Sequence, residues 1–390
     1  MTMNGAPFRL ALVMFGLLPF LASLKGLMIP ANITLLVPVA AFAAFVIGRW
    51  PRVGSLTAAD FGLIGLFVFM SVRVLASADV VLQQPLDYGL HVISLLYVCP
   101  FMFYVGRVTG TGLETNGMAK LLILNLVIVV CFLAITVIAP DFVRRNGLEA
   151  NSYYQYMGDG LAVAALAAWA CNYRPRLYWP YLLTAVLLVS VGSRASAVAF
   201  LIAMAFSNAR FLIVAGATGL PLGFWLLGEI ERGAGLDWAG QFRVLSTFRD
   251  FYLKDAEDAS YSERQQYFDN AIDVIDKNPL MGEVAYEMRT GGMGEFVHNI
   301  LHLWANFGLI ALCLMVLMIF GGPISRLFSS TNVDERRPFP LLVFVAVELL
   351  FFRHPENVVL FFALGLLTSL YAVRNADNSL PYTRSRIPAQ

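Results

Sequence analysis

The chain has 390 residues, 58% hydrophobic and only 14% charged, with a mean hydropathy of +0.69 and a formal net charge of +1. A soluble domain usually carries about 25% charged residues. The composition therefore excludes an ordinary soluble domain and gives no footing for a nucleic-acid partner.

Apolar stretches of about 17 to 25 residues, the length that crosses a bilayer, recur along the whole chain between short polar breaks. The candidate spans are 9–29, 32–48, 60–76, 87–106, 119–139, 158–172, 177–191, 195–208, 210–228, 297–320, 338–353 and 357–373. The first contains "LALVMFGLLPFLASLKG", which imitates a signal peptide, but a second span follows at once. It is expected to be an uncleaved first helix. The seventh and eighth are split only by "VGSRAS". Cys99, Cys131, Cys171 and Cys313 all fall inside apolar stretches, so neither a disulfide framework nor a CxxC metal site is indicated.

Basic residues in short loops set orientation. With the N-terminus in the cytoplasm, the inner loops and tails hold fourteen of them, and the short outer loops hold six: Lys25, Arg73, Arg144, Arg145, Arg194 and Arg353. The expected layout is an all-α polytopic membrane protein of about twelve spans, with both termini inside. Residues 1–228 form nine spans, 229–296 one long outer loop, and 297–390 three spans and a cytoplasmic tail.

That loop contains "YSERQQYFDNAIDVIDKNPLMGE". Ser262 and Gln265 stand in capping-box spacing, and Phe268, Ile272 and Ile275 mark one helical face. Asn278-Pro279 stops the helix and Gly282 suits the turn beyond it. An amphipathic helix over about 263–277 is expected, lying over the outer mouth of the bundle.

Polar side chains that an apolar chain must accommodate come next. Arg194, in "SVGSRASAVAF", either snorkels to the surface or faces small neighbours that admit a ligand. Arg264 falls in the first turn of the loop helix. It is either a solvated surface residue or one of several donors converging on an anion such as a diphosphate. His298 and Asn299 open "FVHNILHLWANFGLIALCLMVLMIF", followed by His302 and Asn306. A histidine there is an interfacial residue or a general base. His298 and His302 are four apart, but no glutamate follows His298 as a zincin would need, so no metal site is indicated. Arg353-His354-Pro355-Glu356 forms a last outer cluster, read as either a salt bridge or a substrate contact.

The order of "GSRAS" between two spans, "R…NPLMG" in a long outer loop, "HN" opening the next span and "FGLI" within it resembles the O-antigen ligase and Wzy-type polymerase superfamily. The resemblance implies a fold similar to GT-C membrane glycosyltransferases. It also implies an inner-membrane enzyme whose periplasmic face takes a glycan from undecaprenyl diphosphate. Neither a nucleotide sugar, a metal nor a cofactor is required. Arg194 and Arg264 would hold the donor diphosphate. His298 would orient or deprotonate the acceptor hydroxyl, and Asn299 would orient or cap the turn; Arg353, on the residue reading alone, is the candidate substrate contact of the last outer cluster. The expected partners are the lipid-linked oligosaccharide, an acceptor glycan or lipid A-core, membrane lipids, a chain-length regulator and a flippase. Polymerase is the preferred reading and O-antigen ligase the alternative. A transporter or flippase is a rival from another class, although no span carries a run of carboxylates for ion coupling. A non-catalytic assembly scaffold is the third.

Overall fold

In a computed structural model, the structure describes residues 56–84, 86–109, 115–138, 153–173, 178–191, 193–207, 259–290, 299–320, 337–353 and 357–379. Every regular element among them is helical, with no strand. In chain order these are α1 (Ala58–Ala76), α2 (Ala78–Leu82), α3 (Leu86–Ile93), α4 (Cys99–Thr109), α5 (Thr115–Ile138), α6 (Tyr153–Ala170), α7 (Trp179–Ser190), α8 (Arg194–Ser207), α9 (Ala259–Lys277), α10 (Tyr286–Thr290), α11 (Leu301–Phe320), α12 (Phe339–Val347) and α13 (Val358–Ser379). Single π-helical turns, Ser94–Val98 and Glu348–Phe352, join α3 to α4 and extend α12. The expected spans at 9–29, 32–48 and 210–228 lie outside the described residues.

The distribution of polarity is inverted relative to a soluble protein. Along α1, Phe61, Ile64, Val68, Val72 and Leu75 are at least half exposed. Their spacing of three and four residues makes one apolar stripe facing away from the protein. Helix α5 likewise exposes Leu124, Val127 and Val130 while burying Asn125, whose amide donates to Leu121 O at 2.9 Å. Charged groups are instead buried: Asp60, Arg107, Asp159, Glu287, Glu348 and Arg353. Ionisable residues inside a bundle with apolar residues outside are what a bilayer selects. Among the described residues, three helices are long and apolar enough to cross one: Ala58–Ala76, Asn116–Ala134 and Leu301–Phe320. This is the architecture of an all-α membrane protein.

Small residues set the packing. Helix α6 is buried on all sides from Met157 to Ala170, because its alanine-rich run "LAVAALAAWA" lets α5, α7, α8, α12 and α13 all approach it. Helices α4 and α13 touch backbone to backbone. A Cβ on Gly106 would collide with Phe362 O, and one on Gly365 with Phe103 O.

The two ends of the bundle can be told apart. Gly62 near the start of α1 lies against Met318 near the end of α11, so these helices run antiparallel. At the Gly62 end, Asp60 closes a capping box with Thr57 and also pairs with Arg107 Nε at 3.3 Å. At the opposite end, Arg73 Nη2 donates to Gly282 O at 3.2 Å. The loop segment and the first turns of α11 lie there.

Helix α9 confirms the expected loop helix and its stop at Lys277, but it begins at Ala259. Gln265 does not serve a capping box: its amide donates to Asp269 Oδ1 at 2.9 Å, one turn ahead. The buried face is Ala271, Val274 and Ile275, against Tyr286 and Ala305, with Ile272 and Trp304 at its border. Phe268 is 38% exposed. The Lys277–Asp273 pair sits on the solvated side. The Asp273 hydrogen bond, and then its charge, raises the Lys277 pKa above its ordinary value.

Candidate functional site

Helix α11 is not one continuous helix. Gly308 stands at φ 82°, ψ −179° in its middle. Only glycine takes that conformation without strain. A Cβ there would also collide with Leu280 O. The break frees backbone groups that an apolar environment cannot satisfy. The chain from 278 to 286 supplies the partners. Leu309 N–H donates to Pro279 O at 2.9 Å, and Glu283 N–H donates to Ala305 O at 2.7 Å. Trp304 Nε1 also donates to Pro279 O, at 2.9 Å. The turn at Gly282 has φ 62°, and a Cβ on it would lie 2.6 Å from both Ala305 O and Gly308 N. "NPLMG" and "FGLI" are thus two halves of one interlock.

A polar network fills the space beside it. Asn306 Oδ1 accepts from Ala285 N–H at 2.9 Å. That fixes its amide so that Nδ2 donates to Glu287 Oε2 at 3.1 Å and lies 3.3 Å from His302 Nε2. Asn306, Glu287 and His302 are all buried. Tyr286 stacks obliquely on His302, ring centroids 5.9 Å apart.

Asn299 opens α11 as an N-cap, its Oδ1 accepting from Leu301 N–H at 2.9 Å. The next residue ties this turn to α12, with Ile300 N–H donating to Leu349 O at 2.8 Å. Leu349 lies in the π-helical turn that Arg353 N–H closes on Glu348 O at 2.7 Å.

Arg353 then leads into a second buried cluster. Its guanidinium forks onto Asp159, Nε to Oδ2 at 3.0 Å and Nη2 to Oδ1 at 3.1 Å, and Nη2 also reaches Ser196 Oγ at 3.3 Å. Glu348 Oε2 lies 3.6 Å from Arg353 Nε. Asp159 accepts further bonds from Ser196 Oγ at 2.5 Å and Asn357 Nδ2 at 2.7 Å. Asn357 caps α13 as well, its Oδ1 accepting from Val359 N–H at 2.9 Å. Ser193 Oγ completes the cluster at 2.6 Å from Ser196 Oγ. One carboxylate thus gathers α6, α8, the end of α12 and the start of α13.

The residues expected to act distribute as follows. Arg194 is the first residue of α8, between Ser193 and Ser196 of this cluster, and Arg264 lies in α9. Both side chains are outside the described residues, as are all of His298, His354 and Glu356. Asn299 caps α11, one residue from the Ile300–Leu349 bond. Arg353 is buried in the ion pair with Asp159. Asp159, Asn357, Glu287 and Glu348 were not singled out from the sequence. Asp159 did carry a signal: it is the only charge in the span 158–172 and stands between two glycines in "MGDG". A lone carboxylate in a span is a functional candidate by default.

The described residues define an all-α membrane protein with a polar, interlocked site at one end of its bundle. No family model matches the chain, and no curated protein matches it.

Proposed function

We propose that this chain is a membrane glycosyltransferase of the O-antigen polymerase and ligase kind. It transfers a glycan from undecaprenyl diphosphate to an acceptor sugar hydroxyl on the periplasmic face, and polymerises O-antigen or exopolysaccharide repeat units. One observation carries the reading. The described residues of the four segments behind the resemblance, "GSRAS", "NPLMG", "HN" and "FGLI", fall at the same end of the bundle, linked by hydrogen bonds of their own or of neighbouring residues. "NPLMG" and "FGLI" bond to each other directly. "HN" connects to "GSRAS" through Ile300–Leu349 and Arg353–Ser196.

In this reading the bundle has about twelve spans with both termini cytoplasmic, in the inner membrane. Arg194 and Arg264 bind the diphosphate and stabilise the charge that grows on it as it leaves. His298 takes the proton of the attacking hydroxyl, and attack from the side opposite the diphosphate inverts the linkage. Arg194 stands at a helix N-terminus, where backbone N–H groups favour an anion.

Broken helices also occur in secondary transporters, where freed backbone groups hold the cargo. Here Leu309 N–H and Ala305 O are already bonded to the loop, which favours a structural break over a transport site.

A deletion strain complemented with variants tests the proposal. Wild type restores polymerised glycan, whereas Arg194→Lys restores little, because an ammonium cannot reproduce a forked contact to phosphate oxygens. Normal chain lengths from a well-expressed Arg194→Lys protein would contradict the assigned role. Full-length chains stranded on the lipid carrier in the deletion strain would indicate the ligase reaction.

A further inference from the structure

Helix α7 ends at Ser190 and Arg194 begins α8, so only three residues of chain separate the two helices. We propose that Asp159, acting through Ser196 and Ser193, is a positioning residue for Arg194 that sets the presentation of this arginine to a prenyl-linked diphosphate. The inference rests on the function proposed above.

Its basis is the saturation of the Ser196 hydroxyl, which has one hydrogen to give and two lone pairs. The hydrogen goes to Asp159 Oδ1 at 2.5 Å. Arg353 Nη2, at 3.3 Å, can only donate. Ser193 Oγ, 2.6 Å away, must then donate as well, since Ser196 has no second hydrogen. The direction of every bond is fixed, and the hydroxyl has no freedom to turn. Ser193 N–H also donates to Leu188 O at 3.2 Å, and Ser193 O accepts from Ala197 N–H at 2.9 Å. Ser193, just before Arg194, is therefore pinned by side chain and backbone together, and Ser196, two residues after it, by its side chain.

The anchor is itself rigid. Asp159 is held by the Arg353 fork and by Asn357, which cannot rotate without uncapping α13. Gly158 brings α6 close enough, since a Cβ there would collide with Ser193 Oγ. Asp159, Ser193 and Ser196 are at most 1% exposed. None of them is placed to touch a ligand, so their effect on one passes through the turn that carries Arg194.

A cluster that merely holds the bundle together makes a different prediction, and Ser196→Ala separates the two. It cuts the tie to the turn but leaves the Asp159–Arg353–Asn357 bonds in place. Full-length protein in detergent would be measured for binding of undecaprenyl diphosphate and for its thermal midpoint. The expected result is affinity weakened about tenfold, the equivalent of one lost charge-assisted hydrogen bond, with the midpoint shifted by only a few degrees. Should Ser196→Ala not fold, Ser193→Ala gives the same reading while sparing all contacts of Asp159. Affinity equal to wild type in the folded variant, whatever its midpoint, would overturn the positioning role. Wild type that fails to bind undecaprenyl diphosphate, or Arg194→Ala that binds it undiminished, would overturn the underlying function instead.

Discussion

Arg353 shows how one side chain can be committed by its surroundings. In sequence it belongs to a polar quartet, open to either a salt bridge or a substrate contact. In the structure its fork is engaged by Asp159 and Ser196, with Glu348 close by. Removing one partner of a buried pair typically costs about 3–5 kcal/mol, because the other charge is stranded. Arg353→Ala leaves two buried carboxylates without their guanidinium and is expected to lose stability on that scale. A large fall in the thermal midpoint of detergent-solubilised protein is the corresponding readout, and a midpoint like that of wild type would contradict it. The partnership was not legible beforehand, since Asp159 lies 194 residues from Arg353 and 198 from Asn357. No local pattern joins residues that far apart. Of the set, the sequence pointed to Arg353 alone; the lone aspartate in an alanine-rich span was a signal not used.

At the scale of elements, the spans from 60–76 onward that fall among the described residues all coincide with helices, because an uninterrupted apolar run is a strong signal. The loop helix was legible from its periodicity and its Asn-Pro stop, though its start lies four residues before the expected one. The break in α11 was not. Gly308 stands near the start of the apolar run 307–320 with no proline or polar break at its own position, and its conformation depends on a loop that arrives from 26 or more residues earlier in the chain. The interlock makes a specific prediction. Gly308→Ala forces a side chain into positive-φ extended backbone that is essentially glycine's alone, costing about 1–3 kcal/mol, and adds overpacking of about 1–3 kcal/mol against Leu280. The protein should be markedly destabilised and its loop more open to protease between α9 and α10. Asn306→Leu should act similarly but less, leaving Ala285 N–H and Glu287 without their shared partner, for about 1–3 kcal/mol. Protease resistance of Gly308→Ala equal to wild type would mean that the loop is held without the interlock.

For the whole molecule, the contacts place the loop segment, the Asn299 cap and the Asp159 cluster at the end opposite Asp60–Arg107. The proposed orientation puts that end outside. A single cysteine at exposed Asp276 or Gln266, in a background lacking the four native cysteines, should react with an impermeant maleimide in spheroplasts without lysis. Labelling only after lysis would reverse the orientation and contradict the proposed periplasmic site.

The proposed glycan transfer from a prenyl diphosphate, with His298 as base, can be reconstituted. Purified protein in liposomes would be given an undecaprenyl-diphosphate-linked repeat unit, with donor binding measured on the same preparations. Wild type is expected to give a ladder of elongated products. His298→Ala should retain donor binding but transfer about 10²–10⁴-fold more slowly, the usual worth of general-base help. Wild type that binds the donor and forms no glycosidic bond with any offered acceptor, or His298→Ala within a few-fold of wild type, would contradict it.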